Sequence, residues 1–280
     1  MPNVSKNLYP VLFADDTALL MSNSSTESLN QSLNNELILI DEWLAGNRLS
    51  LNIDTSCFLY FATSRGIPDP PVHVQLRSMD VRQEAWFRYL GVNVDSTLNF
   101  KLHISLIVGK ISKSVGILHR IRHNAPSHVL LKLYYTLVYP YLTYCCAVWG
   151  CTYDVHLNPI RKLQKRIIRI VTNNEYLAHT DPLFKQVKVL KFDDIRKLLL
   201  AKIGYRWSIS NDFRHASHGY ETRNRNRVLP QYQRLSVTQH SLSFVVPTLW
   251  NDIPLHIRES NNMFEFIRSY EDIYCRFIID

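Results

Sequence analysis

The stretch Leu8–Leu20, LYPVLFADDTALL, sets two adjacent carboxylates, Asp15 and Asp16, between two short apolar runs. Apolar runs separated by a few polar residues are typical of a β-hairpin, so the sequence predicts a strand on each side and the carboxylates at the tip. Neighbouring carboxylates repel each other and normally point to opposite faces of a strand. At a hairpin tip this alternation breaks, and both side chains can face one site.

A divalent cation at that site would remove the repulsion between Asp15 and Asp16. Hard cations such as Mg²⁺ prefer oxygen ligands, and two of them about 3.5–4 Å apart form the usual clamp for in-line phosphoryl transfer. The pair is therefore a candidate metal site for phosphoryl chemistry. A polar turn with no further role is the alternative that so short a motif leaves open.

Charge is distributed unevenly along the 280 residues. Residues 1–96 carry 6 Lys/Arg and 11 Asp/Glu, a net charge of −5, whereas residues 97–280 carry 26 and 13, a net charge of +13. A strongly basic second part indicates a polyanionic partner such as nucleic acid. The alternative is a basic surface that only maintains solubility.

The pattern of apolar residues changes near residue 97. After the hairpin, Ser24-x-x-Glu27 predicts the start of a helix and Gly46-Asn47 its end. Short strands then follow, and beyond Leu98 the spacing is helical. Strands are predicted at Cys57–Ala62, at Val72–Leu76 and on both sides of Gly91 within Trp86–Val94. Helices are predicted at 102–118, His128–Val138, Leu157–Val171, Phe192–Trp207, Pro247–Ile257 and Phe264–Ile279. Pro140 is expected to stop the second of these helices, and residues 209–245 are expected to be irregular. The sequence thus predicts an α+β front part and a helical remainder.

The segment Leu157–Val171 is the clearest amphipathic helix of the sequence. Its apolar residues fall on one side, and five cations that could contact a phosphate backbone fall on the other. These five candidates are Arg161, Lys162, Lys165, Arg166 and Arg169. A second basic group has arginines two residues apart, which an extended chain would point to one side: Arg223, Arg225 and Arg227. A solvated helix face and an unfolded linker are the respective alternatives.

The five cysteines, an odd number, lack the spacing of a disulfide framework or a zinc site, so reduced and mostly buried thiols are expected. Trp149 and the tyrosines around it are expected in the core.

The longest apolar stretch, Val129–Trp149, contains a lysine, a proline and several tyrosines, which favours a buried helix pair over a membrane span. We expect no membrane segment and an intracellular protein, nuclear or cytoplasmic rather than secreted.

Phe13-Ala14-Asp15-Asp16 between apolar strands, followed by an amphipathic helix, resembles the catalytic hairpin of reverse transcriptases, and more narrowly that of non-LTR (LINE-type, jockey-like) retrotransposons. The resemblance continues, in order, through further segments along nearly the whole chain. These are Trp43–Asn52, Phe87–Asp95 with Leu98–Ile104, Tyr139–Tyr144 with Trp149-Gly150, Leu163–Arg166 and Leu249–Pro254.

The resemblance implies an RNA-directed DNA polymerase that uses Mg²⁺, an RNA template and a DNA primer. Asp15 would ligate the catalytic metals with support from Asp16, while Phe13 and Ala14 would border the incoming nucleotide. Three residues of the second hairpin would place the 3′ end of the primer: Tyr89, Leu90 and Gly91. Ordinary sheet packing is the alternative for Tyr89 and Leu90.

The implied domains are a partial palm of antiparallel strands with a helix at 1–97, a helical thumb-like region at 98–208, and a basic linker with C-terminal helices at 209–280. Two departures bear on activity. Asn52-Ile53-Asp54-Thr55 lacks the lysine of the family's Asn-x-x-Lys-Thr, and the family's further metal-binding aspartate lies upstream of the hairpin. We therefore expect the chain to be inactive unless the rest of the polymerase completes it. The alternatives are a non-catalytic nucleic-acid-binding module and a relic of a degraded element.

Overall fold

The computed structural model describes residues 7–61, 71–77, 79–213, 227–231 and 236–274. The chain divides into two compact units, Met1–Leu98 and Asn99–Asp280. The first unit combines small sheets with a long helix, and the second is helical. This mixture is compatible with the α+β class that the sequence predicts.

The first unit begins with the expected hairpin. Strands β1 (Tyr9–Phe13) and β2 (Asp16–Leu20) pair antiparallel, with Tyr9 opposite Leu20 and Phe13 opposite Asp16. Helix α1 (Thr26–Gly46) follows directly. The predicted hairpin with two carboxylates at its tip is confirmed.

Helix α1 fixes the base of the hairpin through apolar contacts. Leu8, which precedes β1, is buried with Ile40 and Leu44 of the helix, and Leu19 of β2 packs against the same cluster. Burial of these side chains is the main attachment of the hairpin to its unit, since apolar burial contributes about 25 cal/mol per Å².

The start of α1 differs by one residue from the prediction. The N-cap is Ser25, whose backbone is extended (φ −133°, ψ 154°) and whose hydroxyl accepts a hydrogen bond from the Ser28 N–H at 3.2 Å. The predicted Ser24–Glu27 capping box is therefore wrong, because Ser25 has the extended backbone and the hydroxyl within reach of the third helical N–H. The predicted end at Gly46-Asn47 is confirmed, since Asn47 is the C-cap.

The remaining strands of this unit are short. They are β3 (Cys57–Phe58), β4 (Gln75–Leu76), β5 (Met79–Asp80), β6 (Arg82–Gln83), β7 (Trp86–Tyr89) and β8 (Val92–Asp95). Strand β4 pairs antiparallel with β5, and β7 with β8, whereas β3 and β6 run parallel. The prediction of antiparallel strands is thus wrong for β3 and β6, where the intervening β4–β5 hairpin returns the chain in the same direction. The strands predicted at 57–62 and 72–76 shorten to two residues each in the described part, and residues 62–70 lie outside it.

The second unit is built from helices of very different length. They are α2 (Lys101–Ile121), α3 (Ser127–Leu137), α4 (Tyr139–Thr143), α5 (Cys146–Trp149), α6 (Asp154–Val171), α7 (Thr180–Gln186), α8 (Phe192–Ser210), α9 (Ser236–Gln239), α10 (Leu242–Asp252), α11 (Leu255–Arg258) and α12 (Met263–Tyr274). Helix α6 lies against α2, α3, α7 and α8. Its apolar side is buried as the periodicity predicts, except for Leu163, which is half-buried.

Two core clusters organise this unit. In one, Trp149 is fully buried, its ring stacks on Phe192 with centroids 5.9 Å apart, and its indole N–H donates to the Tyr144 carbonyl at 2.8 Å. In the other, Trp250 of α10 packs on α8 beside Gly204, where an added Cβ would lie 2.7 Å from the indole. The expectation that Trp149 belongs to the core is confirmed. It is wrong for two of the neighbouring tyrosines, because Tyr144 and Tyr153 are exposed.

The prolines act differently from the prediction. Helix α3 ends at Leu137, and Pro140 falls in the first turn of α4, where a missing N–H leaves no intrahelical bond unmade. Pro247, predicted to begin a helix, lies inside α10, which already starts at Leu242 after Ser241. The predicted C-terminal helix is α12; residues 275–279 lie outside the described part.

None of the helices in the described ranges combines the length and apolar character that crossing a bilayer requires.

Candidate catalytic hairpin and nucleic-acid interface

The tip of the first hairpin is a two-residue turn made by Ala14 and Asp15, between the paired residues Phe13 and Asp16. Ala14 has a φ of 49°. A positive φ at the first position of a two-residue hairpin loop is typical of a type II′ turn, which normally has glycine there. Keeping an alanine in this conformation costs about 1–2 kcal/mol. Asp15 therefore occupies the turn itself, and Asp16 is the first residue of β2.

Both carboxylates and the adjacent ring are open to solvent. Asp15 and Asp16 are exposed, and Phe13 is 61% exposed. Because directly opposed residues of an antiparallel pair share a face, Phe13 and Asp16 point the same way. The same face also carries Tyr9, which is 69% exposed, and Leu20, whereas Leu19 on the opposite face packs against α1. The hairpin thus presents an apolar, partly aromatic face that ends in two carboxylates.

The chemistry of these donors matches part of a Mg²⁺ site. Carboxylate oxygens are the ligands that Mg²⁺ prefers, and Asp15 and Asp16 are consecutive residues at the exposed tip. Within residues 7–61, 71–77, 79–213, 227–231 and 236–274, no group of three or more His, Cys, Asp or Glu side chains could hold a metal ion. Asp41 of α1 is already paired with Arg77 at 2.7 Å. Asp15 and Asp16 are therefore the two carboxylates at this tip that could contribute to such a site.

The second predicted hairpin is also formed. Strands β7 and β8 pair with Tyr89 opposite Val92, and Leu90 and Gly91 make the turn with φ values of 46° and 81°. Two positive φ values are typical of a type I′ turn; Gly91 adopts this without strain, and Leu90 does not. The Tyr89 hydroxyl is buried and has no hydrogen-bond partner among the described residues. The structure thus places all three predicted primer-contacting residues at one tip.

Arg82 contacts the segment Asn52–Thr55, in which the lysine of the Asn-x-x-Lys-Thr motif is missing. Residues Ile53–Thr55 form a single 3₁₀ turn, and Arg82 of β6 donates from Nη2 to the Asp54 carbonyl at 2.7 Å. Sequence reasoning missed this contact, because the two residues are 28 positions apart and no periodic signal connects them.

The five predicted cations of α6 divide into two groups. Arg161 is engaged within the protein: its Nη2 lies 2.6 Å from Asp154 Oδ1 and 2.8 Å from Asp193 Oδ1, and its Nε donates to Asp193 Oδ2 at 2.9 Å. Arg161 is only 22% exposed. The hydrogen bonds that Arg161 donates to Asp193, and then the one that it donates to Asp154, raise the pKa of Arg161, and the latter bond lowers the pKa of Asp154. Such a two-carboxylate clamp joins α6 to the start of α8.

Three other cations stand on the open face of the helix. Lys162, Lys165 and Arg166 are exposed, and their side chains form no ion pair with another described residue within 4 Å. Spacings of three and four residues put them on one face. Arg169 continues this line, but its Nε donates to the Ala178 carbonyl at 2.8 Å. The open line of charge that could meet a phosphate backbone is therefore Lys162, Lys165 and Arg166.

A buried glutamine on the same helix carries a structural role that the sequence did not reveal. Gln164 is 2% exposed; it donates to the Tyr134 hydroxyl at 3.0 Å and accepts from the Phe192 N–H at 2.7 Å. It thereby joins α6 to α3 and to the first residue of α8, which fixes the orientation of the basic face. Gln164 lies four residues after Ile160 and three before Ile167, so helical spacing alone places it on the apolar side of α6; its hydrogen-bond partners, which lie on other elements, could not be predicted.

The second basic group is only partly described. Arg227 is exposed, and the next residue, Val228, is held to α10 by two hydrogen bonds with the Asn251 side chain, at 2.9 and 2.8 Å. Arg223 and Arg225 lie outside the described residues. Arg227 thus stands next to a residue that is anchored to α10.

The cysteines have the buried character that the sequence predicts. Cys146 and Cys151 are buried, and Cys57 and Cys145 are half-buried. Burial raises the pKa of Cys146 to about 12 and that of Cys151 to about 11. Both thiols therefore stay protonated near neutral pH, a state that neither binds metal nor acts as a nucleophile. Cys275 lies outside the described residues.

Comparison with known proteins identifies the class to which the chain is related. Its curated relatives are RNA-directed DNA polymerases of non-LTR retrotransposons, which confirms the resemblance seen in the motifs. No protein-family model and no solved structure matches the chain.

Three relatives define the similarity. The chain is 26% identical over 206 residues to the probable RNA-directed DNA polymerase from transposon X-element of Drosophila melanogaster, a match that covers 70% of this chain and 22% of the relative. It is 25% identical over 185 residues to the RNA-directed DNA polymerase from mobile element jockey of the same species, covering 65% and 20%. It is 26% identical over 151 residues to the retrovirus-related Pol polyprotein from type-1 retrotransposable element R1 2 of Nasonia vitripennis, covering 49% of this chain and 35% of the relative. The chain spans about a fifth of the length of the first two relatives.

Proposed function

We propose that the chain is the part of an RNA-directed DNA polymerase that presents the catalytic carboxylates and holds the template–primer duplex. One observation carries this proposal. Asp15 and Asp16 occupy the tip of a two-residue hairpin turn, both exposed, in a chain whose relatives are polymerases of this class.

The hairpin would contribute the metal-binding chemistry. Asp15 and Asp16 would hold Mg²⁺, which neutralises the charge on phosphate oxygens during nucleotidyl transfer. Phe13 shares the face of Asp16, so its ring is available to border an incoming nucleotide, with Ala14 keeping the turn tight. In the second hairpin, the two-residue turn of Leu90 and Gly91 would contact a primer end.

The chain by itself would not extend a primer. The described residues supply two carboxylates, whereas a two-metal site needs further ligands, and loss of one ligand costs both charge and geometry. The relatives that carry the activity in their names are about five times as long as the matched region. A further segment of the polymerase would complete the site.

The second unit would hold the duplex. Its net positive charge and the open line of Lys162, Lys165 and Arg166 suit a phosphate backbone, because each cation that meets a phosphate releases condensed counterions. Arg161 would be a positioning residue instead, since Asp154 and Asp193 occupy its guanidinium. The same surface supports the second candidate, a non-catalytic nucleic-acid-binding module.

A salt titration tests the duplex-holding role. Binding of the 280-residue chain to a short RNA–DNA duplex is followed by fluorescence anisotropy over a range of salt concentrations. The slope of log K against log salt is negative. In the triple variant Lys162→Ala/Lys165→Ala/Arg166→Ala its magnitude should decrease by about two to three units, because each phosphate contact contributes nearly one unit.

Arg161→Ala is the matched control, a cation of the same helix that is engaged within the protein. It should lower the free energy of unfolding by about 1–3 kcal/mol and leave the slope unchanged, since it leaves the partly buried Asp193 carboxylate with only Arg196, at 3.9 Å, and removes no phosphate contact. A flat salt response of the unmodified chain, or a slope that the triple variant does not change, would remove the proposal.

A further inference from the structure

The connection between α6 and α7 exposes two apolar side chains at its tip. Residues Glu175–Ala178 form a tight turn in which the Ala178 N–H donates to the Glu175 carbonyl at 3.1 Å. Its two central residues are Tyr176, 73% exposed, and Leu177, 87% exposed. A single exposed leucine is ordinary on a protein surface, but two adjacent large side chains at one tip, both almost fully exposed, call for a physical reason.

Turn formation does not supply this reason. The central positions of tight turns favour Gly, Pro, Asn, Asp and Ser, each through its backbone or hydrogen-bonding properties. Tyrosine and leucine offer neither, and nothing in the described part of the chain buries these two side chains. Their presence is therefore better explained by a contact with another molecule.

The turn is held rigidly on its first side by the end of α6. Asn173 has a φ of 53°, its N–H donates to the Ile170 carbonyl at 3.1 Å, and the Asn174 N–H donates to the Arg169 carbonyl at 2.9 Å. These two bonds are those of a Schellman motif, in which the left-handed residue ends the helix. The Asn174 side chain also donates to the Thr172 carbonyl at 3.0 Å.

Arg169 holds the other side of the turn. Its Nε donates to the Ala178 carbonyl at 2.8 Å, so the last cation of α6 is bonded to the residue that follows Leu177. The turn is thus pre-organised, and contact with a partner would require little ordering of the chain.

The open cations of α6 lead up to this turn. Lys165 and Arg166 lie four and three residues before Arg169, on the same side of the helix. The pKa of Asp181 in the first turn of α7 is lowered, mainly by its hydrogen bond with Lys191 and further by Lys165. Lys165 is therefore within electrostatic range of the residues that follow the turn. The exposed pair is the end point of a line of positive charge.

We propose that Tyr176 and Leu177 form an apolar wedge that stacks on an unpaired base of a nucleic acid whose phosphates lie along Lys162, Lys165 and Arg166. This inference rests on the proposed nucleic-acid-holding function and adds a specific contact and a preferred structure, a junction between duplex and single strand. Every base has a π-face, so an aromatic side chain beside cations binds single strands without reading their sequence. Apolar side chains inserted at base steps have the same physical basis.

The charge of the surroundings favours nucleic acid over a protein partner. The three open cations of α6, Lys162, Lys165 and Arg166, outnumber the one exposed carboxylate of the turn, Glu175, so the charge beside the apolar pair is positive on balance. A base next to its own phosphate offers both a ring for Tyr176 and a negative charge for Lys165 and Arg166.

Binding measurements with two probes test the wedge. The full 280-residue chain is titrated into a blunt RNA–DNA duplex and into the same duplex with a four-nucleotide single-stranded RNA overhang. Tyr176→Ala should weaken binding of the overhang probe about tenfold, the loss of one base stacked on an aromatic ring, and should change blunt-duplex binding much less. Tyr176→Phe should retain the affinity because the ring remains, and Leu177→Ser should weaken binding several-fold.

The salt slope separates this inference from the function on which it rests. Tyr176→Ala should leave the slope of log K against log salt unchanged, whereas the triple variant of the α6 cations should make this slope less steep. Phe264→Ala is the matched control, since Phe264 of α12 is 77% exposed and lies outside the α6–α7 connection.

Three outcomes would overturn the wedge. In the first, the Tyr176→Ala variant binds the overhang probe as tightly as the unmodified chain does, while the α6 triple variant binds it more weakly. This result would overturn the wedge and leave the proposed function intact. Another is an equal loss of affinity in Phe264→Ala. The third is an absence of nucleic-acid binding at low salt, which would remove the proposed function as well.

Discussion

Tyr89 carries a polar group that the fold buries without a partner. Its hydroxyl is buried and makes no hydrogen bond to any described residue, and a group in that state costs about 1–3 kcal/mol. Tyr89→Phe should therefore raise the free energy of unfolding by about 1 kcal/mol, measured by urea denaturation. If the hydroxyl also contacts a bound primer, the same variant should bind duplex more weakly although it is more stable.

Tyr134→Phe is the control for this experiment. The Tyr134 hydroxyl is also buried, but it accepts a hydrogen bond from Gln164 at 3.0 Å. Its removal leaves the amide of a buried glutamine with one bond fewer and should lower the free energy of unfolding by about 1 kcal/mol. Changes of the same sign in both variants would contradict the assignment of an unsatisfied hydroxyl to Tyr89.

The clamp of Arg161 makes a prediction about pH. The hydrogen bond from Arg161 lowers the pKa of Asp154 below its ordinary value. A carboxylate with a lowered native pKa stabilises the fold above its unfolded pKa of about 4 and loses that contribution as the pH falls through the native pKa.

Asp154→Asn should therefore be less stable than the unmodified chain at pH 7, by no more than about 1 kcal/mol because the carboxylate is largely exposed. The difference should shrink to nothing at the acid end of the titration. Urea denaturation at a series of pH values measures it; a difference that stays constant with pH would show that the ion pair does not cause it.

The same residues show where sequence reasoning stops. The charge pattern of α6 predicted five equivalent cations, since all five fall on its polar side. The partner that removes Arg161 from this set, Asp193, lies 32 positions away on another helix. Similarly, the hydrogen bonds of Gln164 depend on Tyr134 and Phe192, which its own helix does not contain. A pattern within one element cannot report partners that only tertiary packing brings together.

At the scale of the elements, α2 contains two glycines with no structural need. Gly109 and Gly116 lie in the middle of the helix, and a Cβ added at either would meet no atom within 4 Å. Glycine in a helix interior is less favourable than alanine by about 0.5–1 kcal/mol. Gly109→Ala and Gly116→Ala should each raise the free energy of unfolding by that amount, as measured by chemical denaturation.

Gly204→Ala in α8 is the opposite case and serves as the control. There the new Cβ would lie 2.7 Å from the Trp250 ring, so the packing of α10 on α8 must shift. Overpacking of this kind costs about 1–3 kcal/mol. Destabilisation by the α2 substitutions, or a neutral effect at Gly204, would show that helix propensity and packing do not dominate at these positions.

The elements themselves could be predicted to different degrees. The two hairpins and the long helices follow from local apolar periodicity and turn chemistry, and they are present. The boundaries depend on the backbone conformation of single residues, which periodicity does not report. The N-cap of α1 is therefore Ser25 and not the predicted Ser24, and α10 starts five residues before Pro247. The parallel pairing of β3 with β6 depends on two-residue strands distant in sequence, for which periodicity gives no signal.

At the scale of the whole molecule, an acidic unit with two exposed hairpins is joined to a strongly basic helical unit. The class of protein could be recognised from sequence because the motifs occur in order along the chain, and the curated relatives confirm it. The assignment of roles to Asp15, Asp16 and the cations of α6 stays a prediction, because a metal and a duplex are recognised by chemistry that only binding or activity can reveal.

The most direct test of this assignment is primer extension by a completed polymerase. The chain is fused behind the upstream polymerase segment of the jockey relative and supplied with Mg²⁺, an RNA template and a DNA primer. The folded fusion should incorporate nucleotides. Asp15→Asn should abolish incorporation and Asp16→Asn should reduce it severely, whereas Asp41→Asn, which removes a carboxylate paired with Arg77, should retain it. The chain without the added segment should be inactive. Extension that persists in Asp15→Asn, a folded fusion without activity, or extension by the chain alone would contradict the account.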